Sequence, residues 1–134
     1  MNISIYTGYF HDGSIINIEQ SGDGVCFSMQ SAEMHEEDLK DNIALSKYHR
    51  IKGKLHLEKV KIIRDNDQIF LGVLRMLYDG AGILDFEISK NNVKLFLEWV
   101  NYPPHPDIVV YSSFEIEAEK IWWENIPDLG EPFW

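Results

Sequence analysis

From Gly82 to Glu124 apolar and polar side chains alternate with a period of two, and strands that bury one face and wet the other are the structures that satisfy such a pattern. Leu84, Phe86 and Ile88 alternate with Asp85, Glu87 and Ser89. Lys90-Asn91-Asn92 turns the chain, after which Val93, Leu95, Leu97 and Trp99 alternate with Lys94 and Glu98. Past the break at Tyr102-Pro103-Pro104-His105-Pro106, Phe114, Ile116 and Ala118 alternate with Glu115, Glu117 and Glu119. Three consecutive antiparallel strands are predicted here.

The remainder reads mostly in the same way. Ile3 and Ile5 predict a short first strand, and Gly8 to Ser14 a glycine-bounded turn. Ile16 and Ile18 share one strand face, Ser21-Gly22-Asp23-Gly24 closes a hairpin, and Val25, Phe27 and Met29 share a face on the return. Residues 31–41 are too polar to bury and predict a solvated loop with one helical turn near Glu36 to Lys40, while Ile43 and Leu45 hint at another strand. Gly53 opens a strand whose apolar parity changes from Leu55 and Leu57 to Val60 and Ile62. The same change separates Ala118 from Ile121 and Trp123, so bulges are predicted near Glu58-Lys59 and Glu119-Lys120. Ile69, Phe70, Val73, Leu74 and Leu77 instead form a helical stripe over about 67–78, started by Asn66 or Asp67 and ended by Asp79-Gly80. A buried strand over Ile69 to Leu74 is the alternative reading. A helix here would cover Phe96, Val100 and Trp122, which otherwise fall on the wet face. The fold expected is mainly β: a single domain, residues 1–134, forming an antiparallel β-sandwich or partly open barrel with bulged strands and one short helix.

Charge and composition narrow the function. The chain has 134 residues, 45% hydrophobic and 25% charged, enough for one real core. No run approaches the roughly 18 apolar residues that span a bilayer, and the start of the chain lacks the basic and apolar regions of a signal peptide. With a single Cys26, which can form no internal disulfide, these features predict a cytoplasmic protein without a membrane partner. A formal net charge of −10 argues against nucleic acid as partner, since phosphate binding draws on clustered cations. It suits a basic protein partner, and it equally keeps a protein soluble.

The candidate chemistry is sparse. His11-Asp12, beside Tyr9, could pair an imidazole with a carboxylate, but neighbours on an extended chain point apart, and a turn stabilised by Asp12 is the simpler reading. His35-Glu36-Glu37-Asp38 lacks the second histidine of a zinc helix, since Leu39 stands there. Cys26 sits mid-strand between apolar neighbours, as a semi-buried filler does, and Gly80-Ala81-Gly82 does not continue a dinucleotide loop. No catalytic residue and no metal site is assigned. What remains is an acidic band: Asp85, Glu87, Glu98, Glu115, Glu117 and Glu119 occupy the polar positions of adjacent predicted strands. Like charges across a sheet cost stability unless Lys94 and Lys120 interleave or a cationic partner arrives.

At Phe10-His11-Asp12-Gly13 followed by Ile15 to Ile18, at Gly53-Lys54-Leu55, and at Ile116-Glu117-Ala118-Glu119-Lys120-Ile121, the chain resembles small bacterial mainly-β immunity proteins of polymorphic toxin systems, in particular the Immunity protein 50 family. The resemblance implies a protein that binds and neutralises a toxin without a cofactor, and it carries over no binding residues. The leading expectation is a contact protein whose acidic strand face meets a basic toxin domain. Two alternatives differ in kind: a small-ligand barrel or minor enzyme using Tyr9, His11 and Asp12 at a barrel mouth, and an assembly subunit docking through Phe133-Trp134.

Overall fold

The computed structural model describes residues 2–128; the Phe133-Trp134 tail expected to dock therefore lies outside the described residues. A 3₁₀ helix, Ile3–Phe10, is followed by seven strands: β1 (Ser14–Ser21), β2 (Gly24–Gln30), β3 (Lys52–Asp65), β4 (Gln68–Ile69), β5 (Gly80–Ser89), β6 (Asn92–Val100) and β7 (Val110–Asn125). The sheet order is β2-β1-β5-β6-β7-β3-β4, and β2 also pairs with β3, so six strands follow one another around a closed ring of antiparallel hydrogen bonds with β4 appended. The ring is not a regular barrel. Its β1–β5 join lasts two residue pairs, Ser14 with Gly82 and Ile15 with Ala81, and beyond that the strands splay. Among the described residues no helix is long and apolar enough to cross a membrane.

The interior is filled by side chains from every strand of the ring. Val93, Leu95, Leu97 and Trp99 of β6, and Phe114, Ile116 and Ala118 of β7, are all buried as their alternation predicts. The indole N–H of Trp99 donates to the Ser112 hydroxyl at 2.9 Å, so the largest buried ring leaves no polar atom unpaired. The β1–β2 hairpin also forms as predicted, with Ser21 opposite Gly24 across a two-residue turn in which Gly22 takes φ 60°.

The two parity changes stand where the sequence puts them, by a different mechanism. Glu58 faces Lys120 and Val60 faces Ala118, so the register is the same on either side of the change. Both strands switch faces at the same level: Leu57 and Ile121 turn inward, Lys59 takes φ 54°, and Val60 and Ala118 turn inward next. A one-sided register shift lies just beyond, between Val60 and Ile62, and others fall between Ile15 and Asn17 and between Ile83 and Asp85. All three change which residues face in: Ile63, rather than the expected Ile62, is the buried residue of β3 beyond Val60. Ile15 and Ile18 are buried while Ile16 is exposed, and Ile83 precedes Phe86 in the core while Leu84 is only half-buried.

Three predicted elements do not form. The helix over 67–78 is replaced by a hairpin and an irregular segment: Asn66 and Asp67 take φ 52° and 66°, the pair of positive values a tight two-residue β-turn requires, and so join β3 to β4 instead of capping a helix. Gly72 at the centre and β-branched Ile69 and Val73 weaken the helical alternative by propensity. Of the expected stripe only Leu74 is fully buried, its N–H donating to the Gln20 side chain of β1 at 2.7 Å where β1 and β5 part. The strand predicted at Ile3 and Ile5 is instead the 3₁₀ helix, which buries Ile3, Tyr6 and Phe10 along one side. Phe10 meets Phe86 and Trp123 edge-on, at centroid distances of 5.1 and 5.8 Å. Residues 31–50 form an irregular loop with a single 3₁₀ turn, Glu36–Asp38, and no strand at Ile43 and Leu45.

Candidate functional site

The outward positions of β5, β6 and β7 bring all six acidic residues onto one face, and the register decides their neighbours. Glu87 is opposite Lys94, Lys94 opposite Glu115, and Glu115 opposite Arg64, so one row across the sheet alternates in sign. Glu117 lies opposite Asn92, whose amide also reaches Glu115 at 3.4 Å. Glu119 is held by Lys59 and Lys61 at 3.6 and 4.0 Å, and Lys120 pairs with Glu58 at 3.9 Å. Lys94 thus interleaves as expected, while Lys120 serves β3.

Uncompensated charge concentrates at the other end of the face. Asp85 is opposite Phe96, and Glu98 is opposite Tyr111. Phe96 and Tyr111 are 41% and 44% exposed, with ring centroids 6.0 Å apart. The Glu98 carboxylate accepts from the Tyr111 phenol and its charge opposes ionisation, which raises the phenol above its ordinary range. Asp85 turns one oxygen to its neighbour, accepting from the Phe86 N–H at 3.0 Å. The result is an aromatic pair flanked by two carboxylates, and among the described residues no cation is bonded to either. A face of this kind is equipped for contact with a cationic surface: rings supply apolar area, and carboxylates reward ammonium or guanidinium groups. Phe96 is legible in the sequence as an apolar residue in a wet position. Tyr111 is not, because it precedes the alternating run and only the register brings it beside Glu98.

Tyr9 lies at the end of the 3₁₀ helix, and His11 and Asp12 lie on the turn between that helix and β1. His11 is 62% exposed in its side chain and its Nδ1 lies 2.7 Å from the Leu84 carbonyl oxygen. Asp12 takes φ 68°, its N–H donates to the Ile83 carbonyl at 2.9 Å, and its carboxylate stands 3.7 Å from His11 Nε2. Tyr9 is half-buried, and its carbonyl accepts from Ala32 N–H. These groups shape a turn against β5. Surface hollows of about 590 Å³, bounded by Tyr48, Arg50 and Lys52, and about 530 Å³, between Leu39 and Lys47, lie elsewhere.

Cys26 is opposite His56 on the outer face, and His56 is in turn committed to other partners. Its Nε2 lies 2.8 Å from Glu124, and its ring stacks on Trp122 at 4.2 Å. Burial pushes the Cys26 thiol up. Among the described residues no group of three or more His, Cys, Asp or Glu side chains could hold a metal ion. No protein-family model matches the chain, and no curated protein and no solved structure matches it either.

Proposed function

We propose that this chain is a non-catalytic binding protein whose β5–β6–β7 outer face meets a basic protein surface. The observation that carries the reading is the exposed Phe96–Tyr111 pair flanked by Asp85 and Glu98, with no cation bonded to either carboxylate among the described residues. Rim charges of this kind raise the rate of encounter with a cationic partner, and partly exposed rings at the centre supply the contact that persists. The partner that fits the resemblance is a basic toxin domain, with the chain acting as its immunity protein and no cofactor taking part.

Capture from native extract at low and high salt, followed by mass spectrometry, tests the reading. The expected result is a basic partner retained at low salt, released steeply as salt rises, and lost when Asp85 and Glu98 are both changed to Lys. A partner whose retention is indifferent to salt and to that double reversal would overturn it. Protection of cells expressing the captured domain by co-expression of this chain tests the immunity role itself.

A further inference from the structure

Leu71, at 91% exposure, is the most exposed large apolar side chain described, and it lies in a row: Ile69 and Val73 on either side are 63% and 62% exposed. The row starts on β4, the outermost strand, which among the described residues pairs only with β3, and runs past the end of that strand through a bend at Gly72. Phe70 N–H donates to the Ile63 carbonyl at 2.8 Å, so as far as residue 70 alternate residues turn their hydrogen-bonding groups toward β3. The intervening ones, Ile69 and Leu71, turn theirs to the open edge. Among the described residues the N–H groups of Leu71, Gly72 and Val73 have no hydrogen-bond partner. An unpaired apolar edge is a template for another strand, and folded proteins ordinarily block such edges with charge or proline. Between Gln68 and Leu74 there is neither.

The charges stand instead at the two ends, and they are opposite in sign. Asp67-Gln68-Ile69-Phe70-Leu71-Gly72-Val73-Leu74-Arg75 is self-complementary when laid antiparallel on itself about Leu71. Leu71 then faces Leu71, Ile69 faces Val73, and Asp67 faces Arg75, each pair occurring twice across the two-fold axis except the central one. Asp67 and Arg75 are exposed, and neither has an ion-pair partner among the described residues. Such a register pairs the open-edge groups of Ile69 and Leu71 and, once the chain straightens at Gly72, those of Val73 as well. We propose that this edge joins the same edge of a second copy of the chain, making an antiparallel two-fold dimer centred on Leu71. The dimer carries twice the net charge of −10, so long-range repulsion opposes it and added salt strengthens it. Salt acts in the reverse sense on the basic partner of the acidic face, so either association can fail without the other.

Sedimentation of the full chain over a range of concentration and salt is the test. A dimer is expected, with a dissociation constant that falls as salt rises. Arg75→Glu, which sets two pairs of like charges face to face, weakens it about tenfold, while Arg75→Lys leaves it unchanged. Leu71→Cys in a Cys26→Ser background is expected to form a symmetric disulfide in air, because only a register centred on residue 71 brings the two sulfurs together. A wild-type chain that stays monomeric at every concentration and salt overturns the proposal. So does an Arg75→Glu dimer as tight as that of Arg75→Lys, or a Leu71→Cys chain that remains reduced as a dimer.

Discussion

Gly53 and Gly13 show how little room single positions in this chain leave. A methyl group on Gly53 would lie 2.1 Å from the Glu124 carbonyl oxygen and 2.9 Å from the Trp123 ring, and one on Gly13 would lie 2.2 Å from the Gln30 carbonyl oxygen. Backbone cannot yield as a flexible side chain can, so Gly53→Ala is expected to cost about 1–3 kcal/mol, read as a lower urea midpoint at unchanged slope. Ser112 is as constrained by chemistry as Gly53 is by space. Ser112→Ala leaves the Trp99 N–H buried without an acceptor, for an expected loss of about 1–3 kcal/mol, whereas Ser112→Thr, which keeps a hydroxyl, loses less. Phe10 anchors the 3₁₀ helix between Phe86 and Trp123, and Phe10→Ala is expected to lose about 3–5 kcal/mol in the same measurement. The sequence marks Gly53 as a strand start and Phe10 as part of a motif but shows none of the three contacts, because each is made with residues far along the chain.

At the scale of elements, long-range hydrogen bonds tie down the segments that lack a ladder. Tyr6 donates its phenol to Asp41 and accepts from the Lys40 N–H at 3.0 Å, which pins the 31–50 loop to the 3₁₀ helix; burial, then the Asp41 carboxylate, raises the phenol above its ordinary range. Asp79 does the same for the proline-rich 101–109 loop. One of its oxygens accepts from the Tyr102 N–H at 2.8 Å and from His105 at 2.7 Å, and these bonds, the backbone one first, hold its carboxyl below the usual carboxylate value. A carboxylate lowered on folding contributes stability above its unfolded pKa of about 4 and loses it as pH falls through the folded value. Asp79→Asn is therefore expected to be less stable than wild type near neutral pH, the gap closing below about pH 4, in melts taken across the acid limb. A gap that stays constant with pH would mean that the Asp79 charge has no part in the clasp. The same scale explains the missing helix. A stripe such as Ile69, Phe70, Val73, Leu74 and Leu77 is a local signal, but Asn66 and Asp67 close a hairpin turn and β3 offers an edge, so two ladder pairs displace the helix.

Across the whole molecule, charge is segregated by strand. Lys52, Lys54, Lys59, Lys61 and Arg64, five of the twelve Lys and Arg residues, lie on β3, whereas β5 to β7 carry the acidic band. Where β7 meets β3 the two sets neutralise each other, and the excess appears at the far end around Phe96 and Tyr111. With a net charge of −10 the folded chain repels itself, so moderate salt is expected to raise its melting temperature by about a few degrees, read by calorimetry. A melting temperature that falls with salt would assign the larger share of the electrostatics to the cross-strand pairs.

The residues of this chain determined on their own what depends on neighbours one or two positions away: the alternating runs of β6 and β7, the Asp-Gly hairpin, the levels at which parity changes, and the outward placement of the acidic side chains. Pairing decided the rest. Whether Ile15 or Ile16 faces inward, whether Lys94 separates Glu87 from Glu115, and whether Tyr111 stands beside Glu98 are all questions of register, set by packing summed over strands distant in the chain. Local pattern states which side chains must be buried. Only the closed ring states what they are buried against, and hence which charges remain uncompensated at its surface.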